Sequence, residues 1–335
     1  MRTALITLLV AGCAPHPSGT AARSVPKPPT ATALPERGVA RELFTIEPFA
    51  QRLPRAPADL VVLYGAEQHG SLETCGCPHR PRGSLARYAG YAAAIERALP
   101  TPTVRVDAGY WLTDAVDYAG QPRLDAAAKD QWMMKGLAAV GYDALNVSAH
   151  DLAGLVAVPP DPTLPLVSAN VSGPGVRRYV IVERGGRRIG ITGITGPAAT
   201  MADLSAYTVA PPAEAAGTLA ELVTRADVVV LLSWNANEAV RTLVQAVPGI
   251  DVVVDAGLYS DALPPVQVHD AVWTFAEYQL ARVGELRLGL DGGRITRALD
   301  RHIDMDAEVP DDPTVARITR EARVAIDAVQ RELYP

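Results

Sequence analysis

The chain has 335 residues, of which 48% are hydrophobic, 20% charged and 5% aromatic, and its formal net charge is −6 at pH 7. This composition excludes a disordered polyelectrolyte. The acidic balance argues against a general nucleic-acid binder, which normally presents a basic face, so we expect no nucleic-acid partner. At roughly 150 residues per domain, the length fits about two domains or one large α/β domain.

The first thirteen residues have the features of an export signal. Arg2 supplies a positive charge, Ala4 to Val10 form an apolar run, and small residues precede Cys13. The pattern resembles the lipobox of bacterial lipoproteins, which implies that residues 1–12 are a signal peptide and that Cys13 carries the lipid. An ordinary secretory signal is the alternative. Because Ala14 rather than aspartate follows the cysteine, the resemblance implies, for a Gram-negative bacterium, an outer-membrane anchor facing the periplasm.

Residues 13–57 are rich in proline, alanine, threonine and serine, and they show little apolar periodicity. We predict that they form a tether behind the lipidated cysteine, with the membrane as its partner. A modest amphipathic segment at Val39–Phe49 is expected to dock onto the folded domain.

From Ala58 onward, short β-branched runs alternate with alanine-rich helical stretches, which is the pattern of an α/β domain with buried strands. The predicted strands are Leu60–Tyr64, Val104–Val106, Ala144–Val147, Leu166–Ala169, Val228–Leu232 and Val252–Val254. The predicted helices are Leu85–Leu99, Leu124–Val140, Ala213–Arg225 and Glu238–Val247.

Two predicted hairpins interrupt this alternation, one turning at Gly185-Gly186 and the other at Asp291-Gly292-Gly293. Parallel crossovers mixed with hairpins predict an α/β fold of two packed mixed β-sheets flanked by helices, over residues 58–308. A last helix, Pro313–Leu333, is predicted within residues 309–335 and is expected to pack on the domain.

Six short phrases lie at the ends of these predicted elements. They are Gln68-His69-Gly70, Val106-Asp107-Ala108-Gly109, the run 141–147 leading to His150-Asp151, and the runs 165–171, 185–194 and 248–254. In this order they resemble the N-terminal domain of the bacterial 5'-nucleotidase branch of the calcineurin-like metallophosphoesterases. The resemblance implies a metallophosphoesterase-like α/β sandwich. It also implies, in an intact site, two metal ions that polarise a phosphate and activate water.

Two of the metal-ligand positions implied by the resemblance survive. The opening Asp-x-His is Glu67-Gln68-His69 here, and the catalytic histidine is His150. A single divalent ion such as zinc, manganese or calcium, held by Glu67 and His69 with His150 as the acid, is one interpretation. The other is that both histidines are hydrogen-bonded remnants, so that the chain needs no metal cofactor.

The remaining ligand positions are substituted. The bridging aspartate is Tyr110, the asparagine before the catalytic histidine is Ala149, and the histidine of a Ser-His pair is Trp234. The expected Gly-His-x-His is missing as well, because residues 251–265 contain no histidine. These changes predict a degenerate two-metal site that does not hydrolyse phosphoesters by the family mechanism.

Cys75-Gly76-Cys77 is the only cysteine pair besides Cys13. It resembles the Cys-Gly-Cys of a subgroup of this superfamily in which the metal ligands are also eroded. Three interpretations stay open: a labile disulfide with a thiol redox role, a site for a soft metal ion, and a structural disulfide. The leading hypothesis is a non-hydrolytic domain that acts in binding or thiol chemistry on an unknown small molecule or protein, and the alternative is a metal-dependent nucleotide hydrolase.

Overall fold

The computed structural model describes residues 40–49, 58–74, 79, 81–117, 119–197, 204, 206–259 and 261–334, with the backbone alone at 40–44, 47–48 and 258–259. The strands are β1 (Ala40–Pro48), β2 (Leu60–Gly65), β3 (Thr103–Asp107), β4 (Ala144–Asn146), β5 (Leu166–Val167), β6 (Val171–Ser172), β7 (Val180–Arg184), β8 (Arg187–Thr195), β9 (Thr208–Val209), β10 (Val228–Trp234), β11 (Val252–Tyr259), β12 (Val266–Val268), β13 (Ala271–Glu277), β14 (Arg282–Asp291) and β15 (Arg294–Asp304). The helices are α1 (Leu85–Ala98), α2 (Ala126–Val140), α3 (Ala149–Ala157), α4 (Ala216–Arg225), α5 (Asn237–Ala246) and α6 (Pro313–Leu333). Among these described helices, none is both long enough and apolar enough to cross a membrane.

Two mixed sheets form the centre of the fold. The first has seven strands in the order β1-β15-β14-β2-β3-β4-β5, and the second has six in the order β12-β13-β11-β10-β8-β7. Strands β6 and β9 form a separate two-stranded ribbon. The predicted architecture of two packed mixed sheets flanked by helices is therefore confirmed.

The central strands are apolar on both faces because each sheet packs against the other sheet on one face and against helices on the other. In β2, Val62 and Tyr64 point into the core between the two sheets, whereas Val61 and Leu63 pack under the helices. Strand β10 repeats the pattern with the helices of the second sheet. This two-residue alternation explains why the strands are recognisable in the sequence as continuous apolar runs.

The sheet extends beyond the predicted domain range of 58–308. Strand β1 lies in the range predicted to be tether, and it pairs in parallel with β15 from Ala40↔Arg297 to Pro48↔Asp304. The segment predicted to be amphipathic therefore docks, from Ala40 onward, by becoming an edge strand. This contact is made by backbone hydrogen bonds, which leave no apolar periodicity in the sequence.

Helix α3 and strand β13 are among the elements that the sequence patterns did not predict. Helix α3 begins with a capping box, in which the Ser148 hydroxyl accepts from the Asp151 amide and the Asp151 carboxylate accepts from the Ser148 amide. The helix is only nine residues long, too short to show several full apolar periods.

A buried polar network joins the two sheets through β2, β13 and β15. The Tyr64 hydroxyl donates to Asp300 Oδ1 at 2.8 Å and lies 3.1 Å from His302 Nε2, and His302 Nδ1 lies 2.8 Å from Glu277 Oε1. A Cβ at Gly284 would lie 1.9 Å from the Tyr64 ring, so a glycine on β14 gives that ring its space. Burial alone would lower the pKa of His302, but Asp300 and Glu277 outweigh it and raise the pKa to about 9.

We expect this network to make stability depend on pH. His302 holds its proton in the folded state up to about pH 9, whereas the unfolded chain releases it near 6.5. Its contribution of about 3 kcal/mol is thus fully present below pH 6.5 and lost as the pH rises through 9. Urea unfolding of the parent across this pH range should show the fall in the free energy of unfolding. The fall should be smaller in His302→Gln. The exposed His269→Gln is the control, and a flat profile in the parent would contradict the assignment.

Candidate functional site

Two loops meet at the carboxyl ends of the parallel strands β2 and β3. The Glu67 amide donates to Gly109 O at 2.9 Å, the His69 amide to Tyr110 O at 3.0 Å, and the Gly70 amide to Trp111 O at 3.0 Å. The loops therefore continue the pairing of their strands past the sheet. This edge is where open α/β sheets place their ligand sites.

Three rings form a continuous stack above this edge. The Tyr110 ring lies between His69 and His150, with ring centroids 3.7 Å from His69 and 4.2 Å from His150 and interplanar angles of 24° and 9°. Trp234, at the end of β10, meets Tyr110 and His150 edge-on at 5.8 and 5.6 Å. The two histidines that were predicted as surviving site residues thus converge, but on a phenol ring.

A carboxylate anchors each end of the stack. Glu67 is completely buried; its Oε2 lies 2.8 Å from His69 Nε2, and its Oε1 accepts from Trp234 Nε1 at 2.9 Å. At the other end, Asp114 accepts the Tyr110 hydroxyl and lies 3.1 Å from His150 Nδ1. Asp114 is a site residue that the sequence patterns do not single out; its position four residues after Tyr110 is the one signal for it.

The backbone around the stack is strained and is held by one carboxylate. Glu67, His69 and Tyr110 have φ values of 56°, 51° and 68°, in the left-handed region that non-glycine residues rarely adopt. Asp151 accepts from the amides of Tyr110, Trp111 and Leu112 at 2.7–2.8 Å. Asp151, which stands beside His150 in the sequence, is therefore committed to the backbone rather than to a ligand.

Burial sets the protonation of the groups under the stack. It raises the pKa of Asp107 to about 7, against the opposing hydrogen bonds from Gly109 and Gln68. Burial and the hydrogen bond to Asp114 raise the pKa of Tyr110, so its phenol stays neutral. Burial opposes ionisation of Asp114, but hydrogen bonds from His150 and Tyr110 outweigh it and lower the pKa of Asp114. The centre of the stack is thus a neutral phenol that donates to an ionised carboxylate.

The other predicted site residues have different placements. Ala149 is buried at the first position of α3 and packs into the core between the sheets, where it offers no polar side-chain atom. Cys13, Cys75 and Cys77 lie outside the described residues. Within the described ranges, no group of three or more His, Cys, Asp or Glu side chains is arranged to hold a metal ion.

We expect Trp234 to stabilise the fold through the hydrogen bond of its indole N–H to Glu67 more than through the packing of its ring. Trp234→Phe keeps an aromatic ring but leaves one oxygen of the buried Glu67 carboxylate without a donor. The free energy of unfolding should fall by about 1–3 kcal/mol, measured by chemical denaturation. Trp132→Phe is the matched control, because that indole packs against Lys135 in a partly exposed position. Equal losses in the two variants would contradict the importance of the Glu67 contact.

In comparisons with known proteins, no family model and no curated protein matches the chain. Solved structures do match. A 5'-nucleotidase precursor from Thermus thermophilus aligns with a TM-score of 0.63 and 20% identity over 80% of this chain and 59% of that chain. The NAD nucleotidase NadN of Haemophilus influenzae aligns with a TM-score of 0.60 and 15% identity over 80% of this chain and 60% of that chain.

A third matching structure is aligned over nearly its whole length. The calcineurin-like phosphoesterase YfkN of Bacillus subtilis aligns with a TM-score of 0.60 and 18% identity over 82% of this chain and 99% of that chain. The chain spans about 60% of the length of each of the two nucleotidases. These likenesses show that the chain has the α/β fold of the 5'-nucleotidases and calcineurin-like phosphoesterases.

Proposed function

We propose that this chain is an exported, lipid-anchored protein whose metallophosphoesterase-like domain has lost phosphoester hydrolysis and acts in binding or thiol redox chemistry centred on Cys75 and Cys77. One observation carries the loss of hydrolysis. The Tyr110 ring stands between His69 and His150 at stacking distance, where the resemblance places a carboxylate that bridges two cations.

The chemistry of this arrangement does not fit a two-metal centre. A neutral phenol cannot balance the charge of two divalent ions, and oxygen or imidazole ligands are what such ions need. Trp234 Nε1 and His69 Nε2 both contact the Glu67 carboxylate. An ion at Glu67 would have to displace these contacts.

The thiol role is supported by the described residues that flank the cysteine pair in the sequence. Thr74 and Gly83 pair as an antiparallel bridge, and the Leu85 amide donates to Leu72 O at 3.1 Å. These flanking residues therefore lie next to the loop that carries His69. In the proposed reaction, a Cys75–Cys77 disulfide is attacked by a thiolate of a partner dithiol. A second partner thiolate then resolves the mixed disulfide, so the pair is reduced, the partner is oxidised and the protons of the partner dithiol pass to the cysteine thiolates.

The alternative is a phosphoesterase with a reduced metal site. It draws support from the closeness of Glu67 Oε2 and His69 Nε2, which are 2.8 Å apart and can face one ion. His150 would then serve as the acid. The anchor at Cys13 and the periplasmic location belong to the proposal in either case.

Metal content separates these two functions. We expect protein purified without chelators, after expression with manganese or zinc, to carry well under one equivalent of metal and to leave nucleotides and bis(p-nitrophenyl) phosphate intact. Tyr110→Asp places a carboxylate between the two histidines and should increase metal uptake over the parent, measured by mass spectrometry. One or more equivalents in the parent that are lost in His69→Ala, or turnover that disappears in His150→Ala, would contradict the proposal.

Disulfide transfer tests the thiol role. We expect the oxidised parent to oxidise a fluorescent dithiol peptide, with the activity abolished in Cys75→Ser and in Cys77→Ser. Trp234→Phe, which keeps both cysteines and changes the ring stack, is the control. Activity at the parent rate in both serine variants would exclude thiol chemistry and leave binding.

A further inference from the structure

A cleft of about 330 Å³ lies beside the C-terminal helix α6, on the outer side of the His69 loop. One wall is the loop 69–74, a second is formed by Thr113, Arg123 and Lys129, and the third is α6. Small-molecule sites occupy roughly 300–1,000 Å³, so the cleft has the size for a compact organic ligand. It does not include the ring stack, apart from His69 at its rim.

The walls of the cleft are tied together by polar contacts along α6. The Gln330 side-chain amide donates to Asp125 Oδ2 at 2.6 Å, and the Leu124 amide donates to the Tyr334 hydroxyl at 3.1 Å. Nearer the N-terminus of the helix, Arg323 Nε donates to Glu73 Oε1 at 2.8 Å. Val315 and Ala322 of α6 are buried in the core beneath α1 and α2. These contacts fix the walls of the cleft in the folded protein.

Three cationic side chains line the cleft, and two of them have carboxylate partners. Lys129 Nζ lies 2.8 Å from Asp125 Oδ2, and Arg323 is paired with Glu73. The guanidinium of the third, Arg123, has no hydrogen-bond or ion-pair partner among the described residues, and its Nε is shielded from solvent without an acceptor.

An arginine in this state costs free energy. The guanidinium is always ionised, so it cannot lose its charge on burial as a lysine can. A shielded donor without an acceptor loses its hydration and gains nothing in return. Asp327 and Glu73 also line the cleft, yet neither carboxylate lies within 4.0 Å of the Arg123 nitrogens. Arg123 is thus a partly buried cation that no carboxylate of the described residues approaches within 4.0 Å.

We propose that the cleft is a binding site for the oxyanion head of a small organic molecule, a carboxylate or a phosphate, with Arg123 as its anchor. The planar guanidinium matches both anions through paired N–H···O bonds. Lys129 and Arg323 add positive charge around the head, and Ser71 and Thr319 offer hydroxyl groups. Glu73 and Asp327 disfavour a ligand with several negative charges and favour one that also carries a donor. The inference stands whether or not Cys75 and Cys77 do redox chemistry.

Binding of simple oxyanions tests this site. Sodium lactate, a monoanion with a hydroxyl donor, and sodium phosphate at pH 6, where the monoanion predominates, would be titrated into the full-length protein at constant ionic strength, with chloride as the reference. We expect saturable binding of at least one, seen by calorimetry and as a rise in melting temperature, and the anion that binds identifies the head group as carboxylate or phosphate. Arg123→Gln should weaken binding at least tenfold. Arg294→Gln, which removes the same charge from an exposed position, should bind like the parent.

The melting temperature without anion separates a ligand anchor from a structural arginine. Arg123→Gln removes an uncompensated cation, so the variant should unfold at the same or a higher temperature than the parent. Removing a structural arginine would lower that temperature instead. The proposal is overturned if neither anion binds the parent at about 10 mM, roughly the weak end of useful small-ligand affinity, or if Arg123→Gln binds as well as the parent.

Discussion

One buried carboxylate holds the candidate site together. Asp151 accepts four backbone amides, three from the loop after β3 and one from Ser148, and thereby fixes Tyr110 in a left-handed conformation that its side chain disfavours. The same residue caps α3, which carries His150. Two members of the ring stack are therefore positioned by a single group that acts through the backbone. Its four amide contacts offset part of the cost of its complete burial, which still raises the pKa of Asp151.

The ring stack satisfies its own polar groups. The polar atoms of Glu67 and His69 are turned toward each other and toward Trp234. Asp114 does the same for Tyr110 and His150. Tyr110 and Trp234 thus each supply a donor to one carboxylate.

Much of the fold could be predicted from the sequence, because buried strands appear as apolar runs and long helices are recognised by their apolar period. The features that could not be predicted depend on local contacts. Strand β1 was assigned to the tether because its pairing is made by backbone atoms, and α3 was missed because its start depends on a cap. Within the site, the substituted positions could be named, but the insertion of Tyr110 between two histidines could not, because it results from a left-handed turn. Arg123 gave no signal, since a missing partner is visible only in three dimensions.

The register of β1 has a consequence for how the protein meets its surroundings. Ala40 pairs with Arg297, and Arg297 pairs with Gly289, so the chain enters the sheet at the edge opposite to the carboxyl ends of β2 and β3. With the anchor proposed at Cys13, a pull along the chain would act on β1 at this end of the sheet and would load the β1–β15 pairing before it reached the loops that hold the ring stack.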